Sequence, residues 1–286
     1  MKMQCEYLVN SKITLLGAAQ IRELAEQLDL RPTKKLGQNF VVDANTCRRI
    51  VKLSELTEDD EVVEVGPGLG SLTLAILEIA KSLQVVEIDQ RLANLLPDTV
   101  AKQGGDLSKL KVINQDALQI EDLEIAPTAL VANLPYNISV PVLLSFLEKF
   151  PSIQKGVVMV QAEVAMRLTA SVGSENYGVP TIKAKWWAEL SAAGNVGRSI
   201  FWPVPNVDSQ LVGLKRITSP GSDELRVKTF KIIDAAFSQR RKMLRASLAS
   251  IFGENSEALI SKAGIDPTLR GEKLDLAQFI AIAKTA

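Results

Sequence analysis

The run Glu64-Val65-Gly66-Pro67-Gly68-Leu69-Gly70 constrains this chain more than any other. It follows the strand-like Glu61-Val62-Val63 and opens an apolar, helix-like run from Ser71 to Ala80. Strand, glycine-rich turn and helix in that order form a βα unit. Its turn backbone can approach a ligand closely, because glycine has no Cβ and tolerates positive φ. The spacing is Gly-x-Gly-x-Gly, which departs from the Gly-x-Gly-x-x-Gly fingerprint of dinucleotide sites. S-adenosyl-L-methionine, which has no pyrophosphate to cradle, fits this turn better. Two further strand-like segments end in acid. Leu83-Gln84-Val85-Val86-Glu87-Ile88-Asp89 places Glu87 21 residues after Gly66. A carboxylate at that strand tip can accept from both ribose hydroxyls. Leu110-Lys111-Val112-Ile113-Asn114 runs into Gln115-Asp116-Ala117, and Asp116 is placed to bond the adenine amino group of the cofactor. Singly, these are also a glycine turn, a solvated Glu and a helix-capping Asp. Their order at βα spacing favours the cofactor reading.

A second motif, Asn133-Leu134-Pro135-Tyr136, ends the apolar run Ala129-Leu130-Val131-Ala132, which reads as a buried strand. An Asn side-chain oxygen and a main-chain carbonyl can together accept both hydrogens of an exocyclic amine on a flat ring. Pro135 stiffens the turn through its fixed φ. The Tyr136 ring can stack on a base. Asn and Pro are also ordinary turn residues, so the motif alone fits a plain β-turn as well.

Together these residues resemble the small-subunit ribosomal RNA adenine dimethyltransferase family, which includes the kasugamycin-resistance methyltransferase. The resemblance runs from about Arg31 to about Ile280. It takes in Lys35-Leu36-Gly37-Gln38-Asn39-Phe40, the glycine turn, Glu87-Ile88-Asp89, Gln115-Asp116-Ala117 and Asn133-Leu134-Pro135-Tyr136-Asn137-Ile138. Farther on it includes Met159 to Val164, Glu175-Asn176-Tyr177-Gly178, Phe201-Trp202-Pro203-Val204-Pro205-Asn206-Val207-Asp208-Ser209 and Phe237-Ser238-Gln239-Arg240-Arg241-Lys242. The glycine turn alone names a large superfamily; the whole set is far more specific.

Composition agrees and narrows the chemistry. Apolar residues make up 47% of 286, enough for a sizeable core and too many for a mainly disordered chain. No apolar run is long enough to span a bilayer. The start, Met1-Lys2-Met3-Gln4-Cys5-Glu6, lacks the continuous apolar region of a signal peptide, so a cytoplasmic location is expected. Two cysteines, Cys5 and Cys47, are too few for a disulfide framework or a structural zinc site. The absence of histidine excludes Ser-His-Asp and Cys-His chemistry and disfavours zinc catalysis. Methyl transfer from a sulfonium tolerates that absence and requires no metal. Net charge is zero, yet charge is segregated. Residues 31–52 carry Arg31, Lys34, Lys35, Arg48, Arg49 and Lys52 against Asp43 alone. Residues 226–245 carry Arg226, Lys228, Lys231, Arg240, Arg241, Lys242 and Arg245 against Asp234 alone. Such runs make either solvated helix faces or phosphate-binding surfaces. The match of Gln239-Arg240-Arg241-Lys242 to the family favours phosphate.

The expected fold is α/β: a Rossmann-like class I methyltransferase sheet with helices on both faces, plus a small C-terminal all-α domain. The methyltransferase domain is placed over 1–218, with an N-terminal helical extension over 1–36 whose amphipathic part, about Ala18 to Leu28, packs on the catalytic domain. Gly156 to Val160 and Gln210 to Arg216 read as strands. The segment from Lys183 to Glu189 also reads as a strand, with Trp186 and Trp187 as core residues rather than stacking platforms. Ser219-Pro220-Gly221-Ser222 reads as a hinge before a helical RNA- and subunit-docking domain over 219–286. Its helices are expected at about 223–237, 239–252, 256–263 and 275–285.

The resemblance implies roles. S-adenosyl-L-methionine is held by Gly66, Gly68, Glu87, Asp116, Asn133, Asn39 and the main chain at Val41. The family more often has Leu at position 41, a change that a main-chain contact survives. The catalytic turn is Asn133, Leu134, Pro135 and Tyr136. Asn133 and the Leu134 carbonyl accept the N6 hydrogens, and Tyr136 stacks on one face of the target adenine. Phe201, from its place in Phe-x-Pro, is the candidate for the other face, with a core aromatic as the alternative. Arg240, Arg241, Lys242, Arg245, Lys34 and Lys35 are the expected RNA contacts. The implied partner is a small ribosomal subunit precursor and its RNA, and a monomer is expected. The implied products are N6,N6-dimethyladenosines at two adjacent adenines in a hairpin near the RNA 3′ end. Other readings are a large-subunit adenine methyltransferase conferring macrolide resistance, a DNA adenine methyltransferase and a non-catalytic assembly factor on the same fold.

Overall fold

The structure, a computed structural model, describes residues 13–30 and 39–286. The amphipathic N-terminal segment forms α1 (Ala18–Gln27), with Ile21 and Ala25 buried one above the other on one face. The short strand β1 (Phe40–Val41) leads to α2 (Ala44–Leu53), which Asp43 caps by accepting from Thr46 N–H at 2.9 Å. Then come β2 (Glu61–Val65), α3 (Ser71–Leu77), β3 (Ser82–Glu87), α4 (Gln90–Lys102), β4 (Leu110–Asn114), β5 (Ala129–Asn133), α5 (Ser139–Lys149) and β6 (Lys155–Gln161). Helices α6 (Ala162–Leu168) and α7 (Val179–Ala184) precede β7 (Ala188–Val196), β8 (Phe201–Trp202) and β9 (Ser209–Arg216). The rest is helical: α8 (Asp223–Ser238), α9 (Leu244–Ser247), α10 (Ala249–Phe252), α11 (Ser256–Lys262) and α12 (Leu276–Thr285). No helix among the described residues is long and apolar enough to cross a membrane.

Seven strands form one sheet in the order β4-β3-β2-β5-β6-β9-β7. Strands β2 to β6 are parallel, with Val65 opposite Val86, Val63 opposite Leu130 and Ala132 opposite Val158. β9 runs antiparallel to β6, and β7 antiparallel to β9. The chain leaves β2 toward β3 and β4, then crosses to the other side of β2 for β5. This reversal opens a crevice beyond the carboxyl ends of β2 and β5.

Alternation along the strands feeds two cores. Val62, Leu83, Val85, Val131, Val157 and Met159 pack with α1 to α4 on one face. Val63, Val65, Val86, Leu130, Val158 and Val160 pack with α5, α6, Trp186 and Trp187 on the other. Because both faces are covered, the strands are almost continuously apolar. Helices α8 to α12 share a third core of Ile232, Ile233, Leu244, Leu248, Ile260, Phe279 and Ile282, joined by Tyr177 and Ile182. The Tyr177 hydroxyl donates to the Leu274 carbonyl at 2.8 Å. Arg226 on α8 reaches Glu148 on α5 at 2.7 Å and lies over the Trp187 ring.

Two expected elements differ. Lys183 to Glu189 is not one strand: Lys183 and Ala184 end α7, and β7 begins at Ala188. Thr181 Oγ1 accepts from Gly178 N–H, and Pro180 suits the first helical turn. Trp186 and Trp187 then turn the chain through bonds to the Lys183 and Ala184 carbonyls at 3.1 and 3.0 Å. Their bulk fills the core (1% and 5% exposed) at a helix-to-strand junction, an environment that looks strand-like in sequence. The helix expected over 239–252 is instead two four-residue helices after an exposed turn at Gln239–Met243. The first N–H groups of α9 are taken by distant carbonyls, Leu244 by Leu269 at 2.7 Å and Arg245 by Pro267 at 3.1 Å. These long-range bonds start α9 as a separate helix.

Candidate active site

The glycine turn continues the sheet for one residue: Gly66 N–H donates to the Val86 carbonyl at 2.9 Å. Gly66, Gly68 and Gly70 then adopt φ of 70°, 57° and 95°. At Gly68 a Cβ would stand 3.0 Å from two atoms of the Phe40 ring, so backbone conformation and close packing both require glycine. Ser71, first in α3, donates its hydroxyl to the Val41 carbonyl at 2.6 Å and ties the turn to β1.

Glu87 stands at the tip of β3, only 6% exposed. One carboxylate oxygen accepts from Gly68 N–H at 3.2 Å, the other from Asp89 N–H at 2.9 Å. Burial pushes its carboxyl above the ordinary range, opposed by these two N–H bonds. Beyond β4, Asp116 accepts from Leu118 N–H at 2.9 Å through Oδ1. Gln115 N–H donates to the Glu87 carbonyl at 3.1 Å and holds the β3 and β4 tips together.

Asn133 ends β5. Its Nδ2 donates to the Asn39 carbonyl at 3.3 Å, while its Oδ1 is buried and accepts no hydrogen bond. Such an orphaned acceptor is costly unless a ligand satisfies it. Leu134 is buried and its N–H donates to the Met159 carbonyl at 3.0 Å. Pro135 lies against Gly66. The half-buried Tyr136 has its hydroxyl 2.7 Å from Ser209 Oγ, and desolvation raises the phenol pKa.

Asn39, Val41, Gly66, Gly68, Glu87, Asp116, Asn133, Leu134, Pro135 and Tyr136 all line one cleft. The structure thus brings together ten of the residues singled out in the sequence. Phe201 is not among the lining. It is 2% exposed in the core, paired opposite Val41 through the β1–β8 ribbon. In this structure the Phe201 ring is core packing, the alternative that its sequence position also allowed. Lys34 and Lys35 lie outside the described residues. Arg240, Arg241, Lys242 and Arg245 sit in and just after the exposed turn following α8. Arg240 already pairs with Glu272 at 3.0 Å and with the Glu175 carbonyl at 2.7 Å. Arg245 meets Glu257 at 3.3 Å.

Sequence reasoning passed over Glu64, Phe40 and Ile88, which also line the cleft. Glu64 is 1% exposed and accepts from Thr73 Oγ1 at 2.7 Å. Burial pushes its carboxyl up to about 8, with Thr73 opposing and Glu87 reinforcing. Its charged side chain between the buried Val63 and Val65 was the available signal. Ile88 is 55% exposed, an apolar side chain left uncovered at the cleft. Among the described residues no cluster of three or more Cys, Asp or Glu is arranged to hold a metal ion.

A sequence profile described as ribosomal RNA adenine dimethylase matches residues 30–286. The chain belongs to that family. "Ribosomal RNA small subunit methyltransferase A" of Leifsonia xyli subsp. xyli is 54% identical over 277 residues, covering 96% of this chain and 99% of the relative. A dimethyladenosine transferase from Plasmodium falciparum superposes with TM-score 0.70 at 24% identity, over 85% of this chain and 95% of that one. A 23S rRNA methyltransferase superposes with TM-score 0.66 at 27% identity, over 86% and 99%. The fold is therefore shared with a dimethyladenosine transferase and with a 23S rRNA methyltransferase, and family membership rests on the sequence match. Membership makes the chain a methyltransferase.

Proposed function

We propose that this chain transfers methyl groups from S-adenosyl-L-methionine to N6 of two adjacent adenines in a hairpin near the 3′ end of small-subunit ribosomal RNA, giving N6,N6-dimethyladenosines. The observation that carries the reading is the buried, unpartnered Oδ1 of Asn133 at the switch in strand order. The 54% identity to a small-subunit methyltransferase supports the choice of RNA over the large-subunit alternative. The profile match and the gathering of the motif residues around one cleft tell against a non-catalytic factor.

The cleft fits the cofactor in its donor set. Glu87 is held by two N–H bonds with lone pairs still available for ribose hydroxyls. Asp116 commits Oδ1 to its own turn, which leaves Oδ2 for the adenine amine. Ile88, Leu92 and Ala117 supply apolar walls for the flat ring. When bound, the cofactor supplies a methyl already activated on a sulfonium, so the protein's task is alignment.

The target adenine leaves its stack to enter the cleft. Asn133 Oδ1 and the Leu134 carbonyl accept its two N6 hydrogens and orient the amine lone pair. The bond from Asn133 Nδ2 to the Asn39 carbonyl fixes which way Oδ1 points. Tyr136 stacks on one face of the base, its ring set by the hydroxyl contact to Ser209. Arg241 and Lys242 dock RNA phosphates on the helical region after residue 219, while Arg240 and Arg245 beside them are engaged by Glu272 and Glu257.

The test is methyl transfer from labelled S-adenosyl-L-methionine to small subunits lacking the modification, with large-subunit RNA and DNA alongside. Label recovered as N6,N6-dimethyladenosine from the small subunit is the expected result. Label in large-subunit RNA moves the assignment to the other enzyme. Asn133→Ala should abolish transfer while subunit binding persists. Loss of binding instead removes Asn133 from the chemical step.

A further inference from the structure

The buried position of Phe201 leaves one aromatic of its segment at the surface. Trp202 is half-buried, directly opposite Phe40 in the β1–β8 ribbon. The two rings stack at 6.3 Å between centroids and 22° between planes. Phe40 lines the cleft and abuts Gly68. Trp202 is thus the outer layer of a stack whose inner layer borders the cofactor cleft.

The segment after it is apolar, exposed and pinned. Val204 is 61% exposed and Val207 44%. Arg198 N–H donates to Asp208 Oδ1 and Arg198 Nη1 to the Asn206 carbonyl, both at 3.3 Å. Ala162 N–H donates to the Asp208 carbonyl at 3.0 Å, and Ser209 is tied to Tyr136. Exposed valines on a loop braced at several points are held out by structure. The loop's one acid, Asp208, is offset by the Arg198 guanidinium bonded at Asn206, so neither sign of charge dominates and the surface suits a neutral flat partner.

We propose that Trp202, flanked by Val204 and Val207, is a stacking rim for an unpaired nucleobase beside the target adenine. The inference rests on the RNA reading above. Single-stranded RNA is recognised chiefly by bases splayed out and stacked on aromatic side chains. When one adenine enters the cleft its neighbour loses a stacking partner, and a rim layered on the cleft-lining Phe40 replaces it. The rim then sets which nucleotide is presented and keeps the strand at the mouth between successive transfers.

The experiment compares wild type, Trp202→Leu and Trp202→Phe for binding a hairpin-loop RNA of the substrate sequence, and separately for binding S-adenosyl-L-methionine by calorimetry. Of the chain's three tryptophans, Trp186 and Trp187 are 1% and 5% exposed, so quenching by RNA reports Trp202. Wild-type fluorescence should be quenched as RNA binds, and Trp202→Phe should lose that signal while binding RNA better than Trp202→Leu. Trp202→Leu should weaken RNA binding by roughly 5- to 150-fold, the range for one stacked base, with cofactor affinity unchanged. Unaltered RNA affinity in Trp202→Leu overturns the proposal. So does a parallel loss of cofactor affinity, which would make Trp202 only a prop for Phe40. Wild-type protein that fails to methylate small subunits overturns the parent reading instead; normal methylation with unaltered Trp202→Leu binding overturns the rim alone.

Discussion

The Tyr136 hydroxyl lies 2.7 Å from Ser209 Oγ, although the two residues are 73 positions apart. The contact joins the Asn133–Tyr136 turn to the Pro-rich segment that carries the stacking rim. Ser209 is 1% exposed, so water cannot readily replace either partner. Ser209→Ala and Tyr136→Phe should each lower kcat/KM by roughly fivefold, the worth of one hydrogen bond of about 1 kcal/mol. The double variant should be no worse than either single one, because both remove the same interaction. Losses that multiply in the double variant would show that each residue acts separately.

Glu64 should make stability depend on pH in a direction unusual for a carboxylate. Its folded pKa, about 8, lies above its ordinary value of 4.5 because burial penalises the charge. Between those values the folded chain holds a proton that the unfolded chain has released. Stability therefore falls as pH rises through this window, by up to about 1.4 kcal/mol per pH unit, and levels off above the folded pKa. Denaturant unfolding of wild type and Glu64→Gln from pH 5 to pH 9 checks this. The wild-type midpoint should decline relative to the variant; parallel curves would mean that Glu64 is ionised in the folded chain.

The parallel sheet, the glycine turn and the convergence of Glu87, Asp116 and Asn133 were legible because each follows from local pattern. An apolar run, a turn signal and strand-tip polarity all sit within a few residues of one another. Phe201 was not legible, since whether an aromatic faces a cleft or a core is decided by a partner strand 160 positions away in the Phe40–Val41 ribbon. The break at Gln239–Met243 was hidden for the same reason: α9 begins where Leu269 and Pro267 offer carbonyls. Lys183 to Trp187 misled because bulky buried aromatics favour strands, whereas here they close a helix-to-strand turn. Asn133 was recognisable by motif, but its unpaired Oδ1 required coordinates.

Glu87 should control cofactor affinity rather than fold. Its carboxylate is already oriented by Gly68 and Asp89 N–H groups, so the remaining lone pairs are presented without further ordering. Glu87→Gln should weaken S-adenosyl-L-methionine binding by roughly 10- to 100-fold, the loss of a charge-assisted hydrogen bond. The raised pKa gives a second signature. Cofactor affinity of the wild type should fall as pH drops through that pKa, because the protonated acid accepts hydroxyl hydrogens poorly. The variant's affinity should stay flat. Calorimetric titration across pH measures both, and a flat wild-type profile would mean that the charge of Glu87 does not contribute.

Neighbouring cations after α8 should behave differently toward RNA. Arg240 holds Glu272 and the Glu175 carbonyl, and Gly173 N–H donates to the Glu272 carbonyl at 2.9 Å, so Arg240 staples the 173–175 loop to the helical region. The Arg241 and Lys242 side chains form no ion pair among the described residues, and both are exposed. Arg241→Ala and Lys242→Ala should each reduce the slope of log affinity against log salt by about 0.7 to 0.9, one phosphate contact apiece, without changing Tm. Arg240→Ala should leave the slope nearly unchanged and lower Tm slightly, since an exposed pair contributes about 1 kcal/mol or less. Subunit binding over a range of salt, with thermal unfolding of the same variants, separates the two roles. A slope change for Arg240→Ala equal to that of its neighbours would mean that Arg240 leaves Glu272 to meet a phosphate.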